Sequence, residues 1–301
     1  MTSVFCDRKA IAVFVLPALI LFLVVGFLPI AQSAYFSLLE WDGIGTAKFV
    51  GLSNYVDVFI TDFFGIKFDH SIVNSVVLAI LCVFLQLPAA LALALVLASG
   101  IKGERAYRTI FFIPVVISSA SIGVMFLKIY NPDFGVLNEL LESAGLGVWK
   151  NDWFANERTA LMSALLPVVW QYIGYHMLLM YAAIKGIPGE LFEAATMDGA
   201  SPIRTAFSIT LPLIRPILRV CVTFAVIGSL KFFDLLFVMT GGSPSPATDV
   251  PSTLMYNTIF TRRLYGHGST MAVFLVAECM VFYLVLQRTL KTREERGEER
   301  R

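Results

Sequence analysis

Residues 189–216 read GELFEAATMDGASPIRTAFSITLPLIRP, a polar break inside a chain that is otherwise 57% hydrophobic. Pro188 suits the first position of a helix, where its missing N–H costs nothing. Glu190 and Glu193 fall in the first turns, where the helix dipole favours negative charge. Leu191, Ala194 and Ala195 form a small apolar strip at i, i+3, i+4 spacing. Gly199 tolerates the left-handed dihedrals that end a helix, and Ser201-Pro202 supplies a cap and a first helical residue for another. Pro212 stands at the mouth of the next apolar run. The stretch predicts two short helices about a bend, too polar and broken to cross a bilayer.

The rest of the chain explains where such a break would lie. Only 15% of its 301 residues are charged and its mean hydropathy is +0.75, whereas a soluble domain carries about 25% charged residues. The surplus apolar surface must face lipid. Crossing the hydrocarbon takes roughly 20 residues, and six runs qualify: 10–31, 71–98, 107–129, 159–184, 212–239 and 268–286. The small residues of AQSA after the first run resemble a signal cleavage site. That run is nevertheless longer than the roughly 7–15 apolar residues of a signal peptide, so a retained span is expected. The reading is an all-α integral membrane protein with six transmembrane helices, a terminal segment at 1–9, a membrane domain at 10–290 and a charged tail at 291–301.

Orientation follows from lysine and arginine. With the N-terminus inside, the inner segments carry fifteen of them and the outer segments six, so both termini and residues 189–216 are expected in the cytoplasm. The outer segments are 32–70, 130–157 and 240–267, the last opening with the turn cluster TGGSPSPATD.

Several functions are excluded. A net charge of +1 with no long basic block argues against nucleic acid. Cys6, Cys82, Cys221 and Cys279 show no CxxC, and His70, His176 and His267 no HExxH, so neither a disulfide framework nor a metal site is expected. No catalytic constellation is visible, and no GxxxxGK[ST] phosphate loop, so any ATP chemistry would belong to a partner.

Polar groups at membrane depth are costly and mark candidate pathways. They are Asn74 and Gln86 in the second run, Trp170, Gln171 and Tyr175 in the fourth, Lys231 and Asp234 in the fifth, and Glu278 in the sixth. Lys231 and Asp234, at i, i+3 on one helix face, are expected to neutralise each other. Trp170 and the Phe232-Phe233 pair could stack on a ligand ring or simply pack. The pathway residues singled out are Trp170, Gln171, Tyr175, Phe232, Phe233 and Asp234. Pro88, Pro114 and Pro167 interrupt spans two, three and four, as hinges or as static kinks.

The spacing Glu193-Ala194-Ala195, three residues, Gly199, nine residues, Ile209, one residue, Leu211-Pro212 resembles the EAA motif of bacterial ATP-binding-cassette importer permeases. Asp198 and Ala200 extend it to the EAAxxDGA form of the sugar-importer branch. FVGLSNY at 49–55, YRTIFFIPVVIS at 107–118, NPDFGVLN at 131–138 and FDLLFVMTGGSPSPATD at 233–249 resemble further segments of maltose- and glycerol-phosphate-type permeases. The resemblance covers about residues 10–290.

It implies the type I importer permease fold, with Glu193, Ala194, Ala195, Asp198, Gly199, Ala200, Ile209, Leu211 and Pro212 in a cytoplasmic coupling helix and its continuation. It also implies a second permease subunit as heterodimeric partner, two ATPase subunits that bind ATP and Mg, and an extracytoplasmic solute-binding protein. The chain would then be a non-catalytic subunit in the plasma membrane, importing a sugar or oligosaccharide. Glycerol-3-phosphate, its phosphodiesters or a polyol are the alternative cargoes within that class. A secondary transporter, which commonly shows two similar halves, and an intramembrane enzyme, which needs clustered acid–base groups, fit less well.

Overall fold

The computed structural model describes residues 8–61, 67–241 and 247–290; the charged tail expected at 291–301 lies outside them, as do residues 1–7. The structure is helical, with one two-stranded ribbon among the described residues, and divides into two compact units.

The first unit comprises the described residues of 8–68 and 255–277. Helix α1 runs over residues 8–36 with a widened π turn at Phe22–Phe27. None of the apolar span Ala12–Phe36 is buried within the chain. Antiparallel strands β1 (Leu39–Glu40) and β2 (Lys48–Phe49) and helix α2 (Ser53–Phe59) follow. Asn54 locks this connection, its Nδ2 donating to the Ser37 carbonyl at 2.8 Å and the Leu39 carbonyl at 2.9 Å.

The second unit comprises the described residues of 69–254 and 278–290. Its helices are α3 (Phe68–Ala98, whose first residue belongs to the other unit), α4 (Glu104–Val116), α5 (Ser119–Ile129), α6 (Val136–Ser143), α7 (Glu157–Lys185), α8 (Gly189–Met197), α9 (residues 202–213), α10 (Arg215–Leu230) and α11 (Asp234–Met239). Helices α12 (residues 251–261) and α13 (Tyr265–Thr289) complete the chain, and the boundary between the units falls within both.

Among the described residues, four segments are long and apolar enough to span a membrane: Ala12–Phe36, α3, Arg215–Met239 and α13. Counted as one span, the pair α4 and α5, bent by 94°, adds another. The third run, expected as one helix over 107–129, is therefore broken, because Ile117 and Ser118 are extended (ψ 139° and 131°). The remaining run is α7, 29 residues long. It has the length of a span but less apolarity, since Gln171, Tyr172, Tyr175 and His176 interrupt it.

Proline acts differently from span to span. Pro29, Pro88 and Pro212 each stand two residues after the end of a π turn, at Phe22–Phe27, Cys82–Gln86 and Ala206–Thr210. Proline offers no N–H to the preceding turn and crowds its carbonyl, and a widened turn absorbs both defects without ending the helix. Pro167 lies buried within the unbroken α7, and the bend after Pro114 comes three residues later.

Two close contacts set the helix packing of the second unit. Gly174 of α7 faces Phe111 of α4 so closely that a Cβ would stand 1.9 Å from the Phe111 carbonyl oxygen. At the ends of the same helices, the Tyr181 hydroxyl donates to the Glu104 carboxylate, which also pairs with Lys185 at 3.5 Å. Arg108 sits 5.2 Å from the Tyr181 ring centre. Around these contacts the core is aliphatic, with Leu78, Ala90, Ala94, Leu165, Met177 and Leu235 fully buried.

Candidate functional site

The fifth span is interrupted where the sequence reading places one helix. Helix α10 ends at Leu230, and Lys231 closes it. Phe233 (φ −138°, ψ −63°) is non-helical, and α11 restarts at Asp234. Ser252 holds the break open by donating its hydroxyl to the Phe232 carbonyl, so a backbone group freed by the interruption is satisfied.

A cavity of about 640 Å³ lies against this break, lined by α3, α4, α7, α10 and the Lys231–Asp234 segment. Tyr172, Tyr175 and Phe224 supply aromatic walls with Phe232 and Phe233. Tyr172 meets Phe232 edge-on at 6.4 Å between ring centres, and Tyr175 lies 6.4 Å from Phe224. Polar groups sit among them. Gln86 is 2% exposed and His176 3%, and neither Gln86 Oε1 nor His176 Nδ1 has a hydrogen-bond partner among the described residues. Lys231 and Asp234 bring one charge of each sign to the wall.

Buried polar atoms without partners are rare in folded proteins and ask for an explanation. Here they border a space in the ordinary size range of small-molecule sites. Rings presenting flat faces, beside amide and imidazole groups that both donate and accept, suit a ligand with apolar faces and a hydroxylated edge.

Four of the six residues expected on the pathway line this cavity: Tyr175, Phe232, Phe233 and Asp234. Trp170 and Gln171 do not. Trp170 is 41% exposed and packs edge-on against Phe126 at 5.7 Å; Gln171 Nε2 donates to Ser119 Oγ at 3.3 Å. The reason is helical phase. The cavity face of α7 carries residues 168, 172, 175 and 176, an i, i+4, i+7, i+8 stripe with Trp170 on another side of the helix and Gln171 at its edge, bonded to Ser119. Extending that stripe from Tyr175 identifies Tyr172 and His176, which sequence reasoning passed over.

The mutual neutralisation expected of Lys231 and Asp234 is not found. The two residues flank the break instead of sharing a helix face, and no ion pair joins them. Asn74 is structural: its Nδ2 donates to the Asp249 carbonyl at 2.8 Å. Glu278 is buried in α13, its Oε2 unbonded among the described residues.

The polar break at 189–216 forms two helical segments about a glycine. Pro188, expected as the first helical residue, is instead the N-cap (ψ 131°), and α8 starts one position later at Gly189. At the other end Asp198 is the last half-helical residue and Gly199 is left-handed at φ +70°. The Gly199 N–H bonds the Thr196 carbonyl at 3.0 Å and the Ala200 N–H the Ala195 carbonyl at 2.9 Å, the paired bonds of a Schellman cap. The Ser201 hydroxyl accepts from the Arg204 N–H at 3.3 Å and starts α9, where Ile209 and Leu211 are half-buried.

Glu193, Ala194, Asp198 and Pro212 are exposed, and Ala200 is half-buried. Ala195, expected on the free face, is instead 6% exposed and turned into the protein. Met197 is 88% exposed, Ile203 72% and Phe207 69%, an amount of bare apolar surface that marks contact with another molecule.

Residues 86–296 match the family described as binding-protein-dependent transport system inner membrane component. The chain is 35% identical over 285 residues to the probable ABC transporter permease protein YurN of Bacillus subtilis, covering 94% of this chain and 96% of that protein. It is 31% identical to the diacetylchitobiose uptake system permease protein NgcF of Streptomyces coelicolor, covering 88% and 77%. In fold it is similar to a chain of a bacterial ABC transporter that imports the acidic polysaccharide alginate, with a TM-score of 0.80 at 22% identity over 96% of this chain and 98% of that one.

Proposed function

The chain belongs to the inner-membrane component family of binding-protein-dependent transport systems, and from that premise we propose that it is one of two permease subunits forming the pore of an ATP-driven importer for a neutral sugar or oligosaccharide. The observation that carries this reading is the aromatic and polar cavity at the broken fifth span, with Gln86 Oε1 and His176 Nδ1 beside it unpartnered among the described residues. Helices interrupted within the membrane are where transporters bind cargo, because the break leaves polar backbone facing a cavity. The single lysine beside a single aspartate leaves no surplus of positive charge, which favours a neutral cargo over a phosphate ester.

In this reading both termini and the 189–216 loop face the cytoplasm. Glu193, Ala194, Asp198 and Gly199 present α8 to the groove of a partner ATPase, which binds ATP and Mg. Ala195, Ala200, Ile209, Leu211 and Pro212 tie that helix back to the fifth span. A solute-binding protein delivers the cargo at the opposite face. The exposed apolar residues Met197, Ile203 and Phe207 support a docking role for the loop.

The test is ATP hydrolysis by the reconstituted transporter, with its binding protein, across neutral sugars, polyols and glycerol phosphodiesters. Stimulation by a neutral sugar is expected; stimulation by phosphodiesters alone overturns the cargo assignment. Labelling a Ser201→Cys variant with a membrane-impermeant thiol reagent tests sidedness, with reaction expected only from the cytoplasmic side.

A further inference from the structure

A second cavity, of about 880 Å³, lies behind the coupling loop and takes no part in the pathway described above. Its apolar walls are Leu95 at the end of α3, Ile184 at the end of α7, Phe192 of α8 and Ile203 of α9. Ser99, Thr196 and Thr205 place hydroxyls around it. One charged side chain lines it, Lys185, and no carboxylate does. The Lys185 ammonium is 3.5 Å from Glu104 Oε2 and 5.7 Å from the Tyr181 ring centre, and the side chain is 42% exposed. An ammonium has three donors, so that ion pair leaves others to offer. Lys102 and Arg204 stand in the turns next to lining residues Ser99 and Ile203.

We propose that this groove holds an anionic phospholipid of the cytoplasmic leaflet, its acyl chains between α3 and α9 and its phosphate at Lys185. Three observations select that occupant. The groove sits where two spans end, the depth at which chain and headgroup meet. Val96, on its rim, is 54% exposed, so the groove wall continues into the outward apolar surface of α3. Its charge is positive and its polar groups are hydroxyls, and basic pockets between spans on the cytoplasmic side take acidic headgroups. Phe192 and Thr196 turn one face of α8 to the groove while Glu193 and Asp198 remain exposed for the ATPase. The lipid therefore backs the coupling helix from the membrane side. The inference rests on the cytoplasmic placement proposed above, which the Ser201→Cys labelling tests separately.

Native mass spectrometry of the complete transporter, titrated with phosphatidylglycerol or phosphatidylcholine, gives the decisive measurement. The wild type is expected to retain phosphatidylglycerol in preference to phosphatidylcholine. Lys185→Gln should lower phosphatidylglycerol affinity about fivefold, the effect of one lysine near a membrane surface, and leave phosphatidylcholine unchanged. Ala206→Phe, which fills the groove, should lose the tightly held lipid of either kind. If that variant fails to assemble, Val96→Trp tests the same volume from the rim. Unchanged lipid retention in the charge and volume variants overturns the proposal. So does cross-linking of Thr205→Cys to the second permease subunit, because a protein would then occupy the groove.

Discussion

Gly174 of α7 and the carbonyl of Phe111 in α4 approach so closely that no side chain fits between them: a Cβ on Gly174 would lie 1.9 Å from that oxygen. This contact sets the crossing of two helices whose next turns line the cavity at the Lys231–Asp234 break, through Val115 on α4 and Tyr172 and Tyr175 on α7.

Gly174→Ala should therefore force the two helices apart. Overpacking of this kind costs about 1–3 kcal/mol, and a lowered midpoint of thermal unfolding in detergent is the expected result. Gly228→Ala is the control: its Cβ meets nothing within 4 Å, and alanine in a helix is roughly 0.5–1 kcal/mol better than glycine. Equal stability of the two variants would contradict the crossing.

Gln86 and His176 leave polar atoms buried without a partner among the described residues, a cost of about 1–3 kcal/mol each. Gln86→Leu and His176→Leu should hold or raise thermal stability while lowering sugar transport several-fold to about tenfold, as the loss of one hydrogen bond to cargo predicts. Stability and transport moving in opposite directions distinguishes a binding role from a structural one. A variant that unfolds early and transports normally would sink the assignment.

At Gly199 the φ of +70° is the constraint, since the space around a Cβ there is open. Gly199→Leu carries a backbone cost of roughly 1–2 kcal/mol, whereas asparagine visits that conformation readily. ATP hydrolysis uncoupled from uptake is expected for leucine and near-normal coupling for asparagine. Normal uptake by the leucine variant removes the case for a rigid bend.

Between spans three and four, Lys150 Nζ bonds Glu142 Oε2 at 2.8 Å, and this bond, ahead of the lysine charge itself, holds the Glu142 carboxyl below its ordinary range. A depressed pKa contributes stability above the unfolded value, lost as pH falls through the lower folded value. The local fold around Trp149 and Trp153 should thus persist below pH 4.5, the ordinary value for the group, and loosen earlier in Glu142→Gln. Tryptophan fluorescence against pH measures this. The pair is exposed, so the difference should shrink in high salt.

By itself the sequence determined the class of molecule and the shape of its polar loop. Apolar run length is a one-dimensional property, as is cap chemistry, so the apolar helical character of the chain and the bend at Gly199 were legible from residue order alone. The motif at 193–212 likewise pointed to the family now established for the chain. What only tertiary structure decided was which side of each helix matters. Trp170 and Tyr175 are equally plausible by type, but one full turn plus part of another separates them, and only the packing of α7 against α4 shows that 172, 175 and 176 face the cavity. Residue order also reads straight through Lys231-Phe232-Phe233 as helix. The break there is held by Ser252, twenty residues away, and a contact between distant residues leaves no local signal. The same holds for Ala195: the apolar strip of α8 was visible, but packing turned that alanine inward and left Met197 bare.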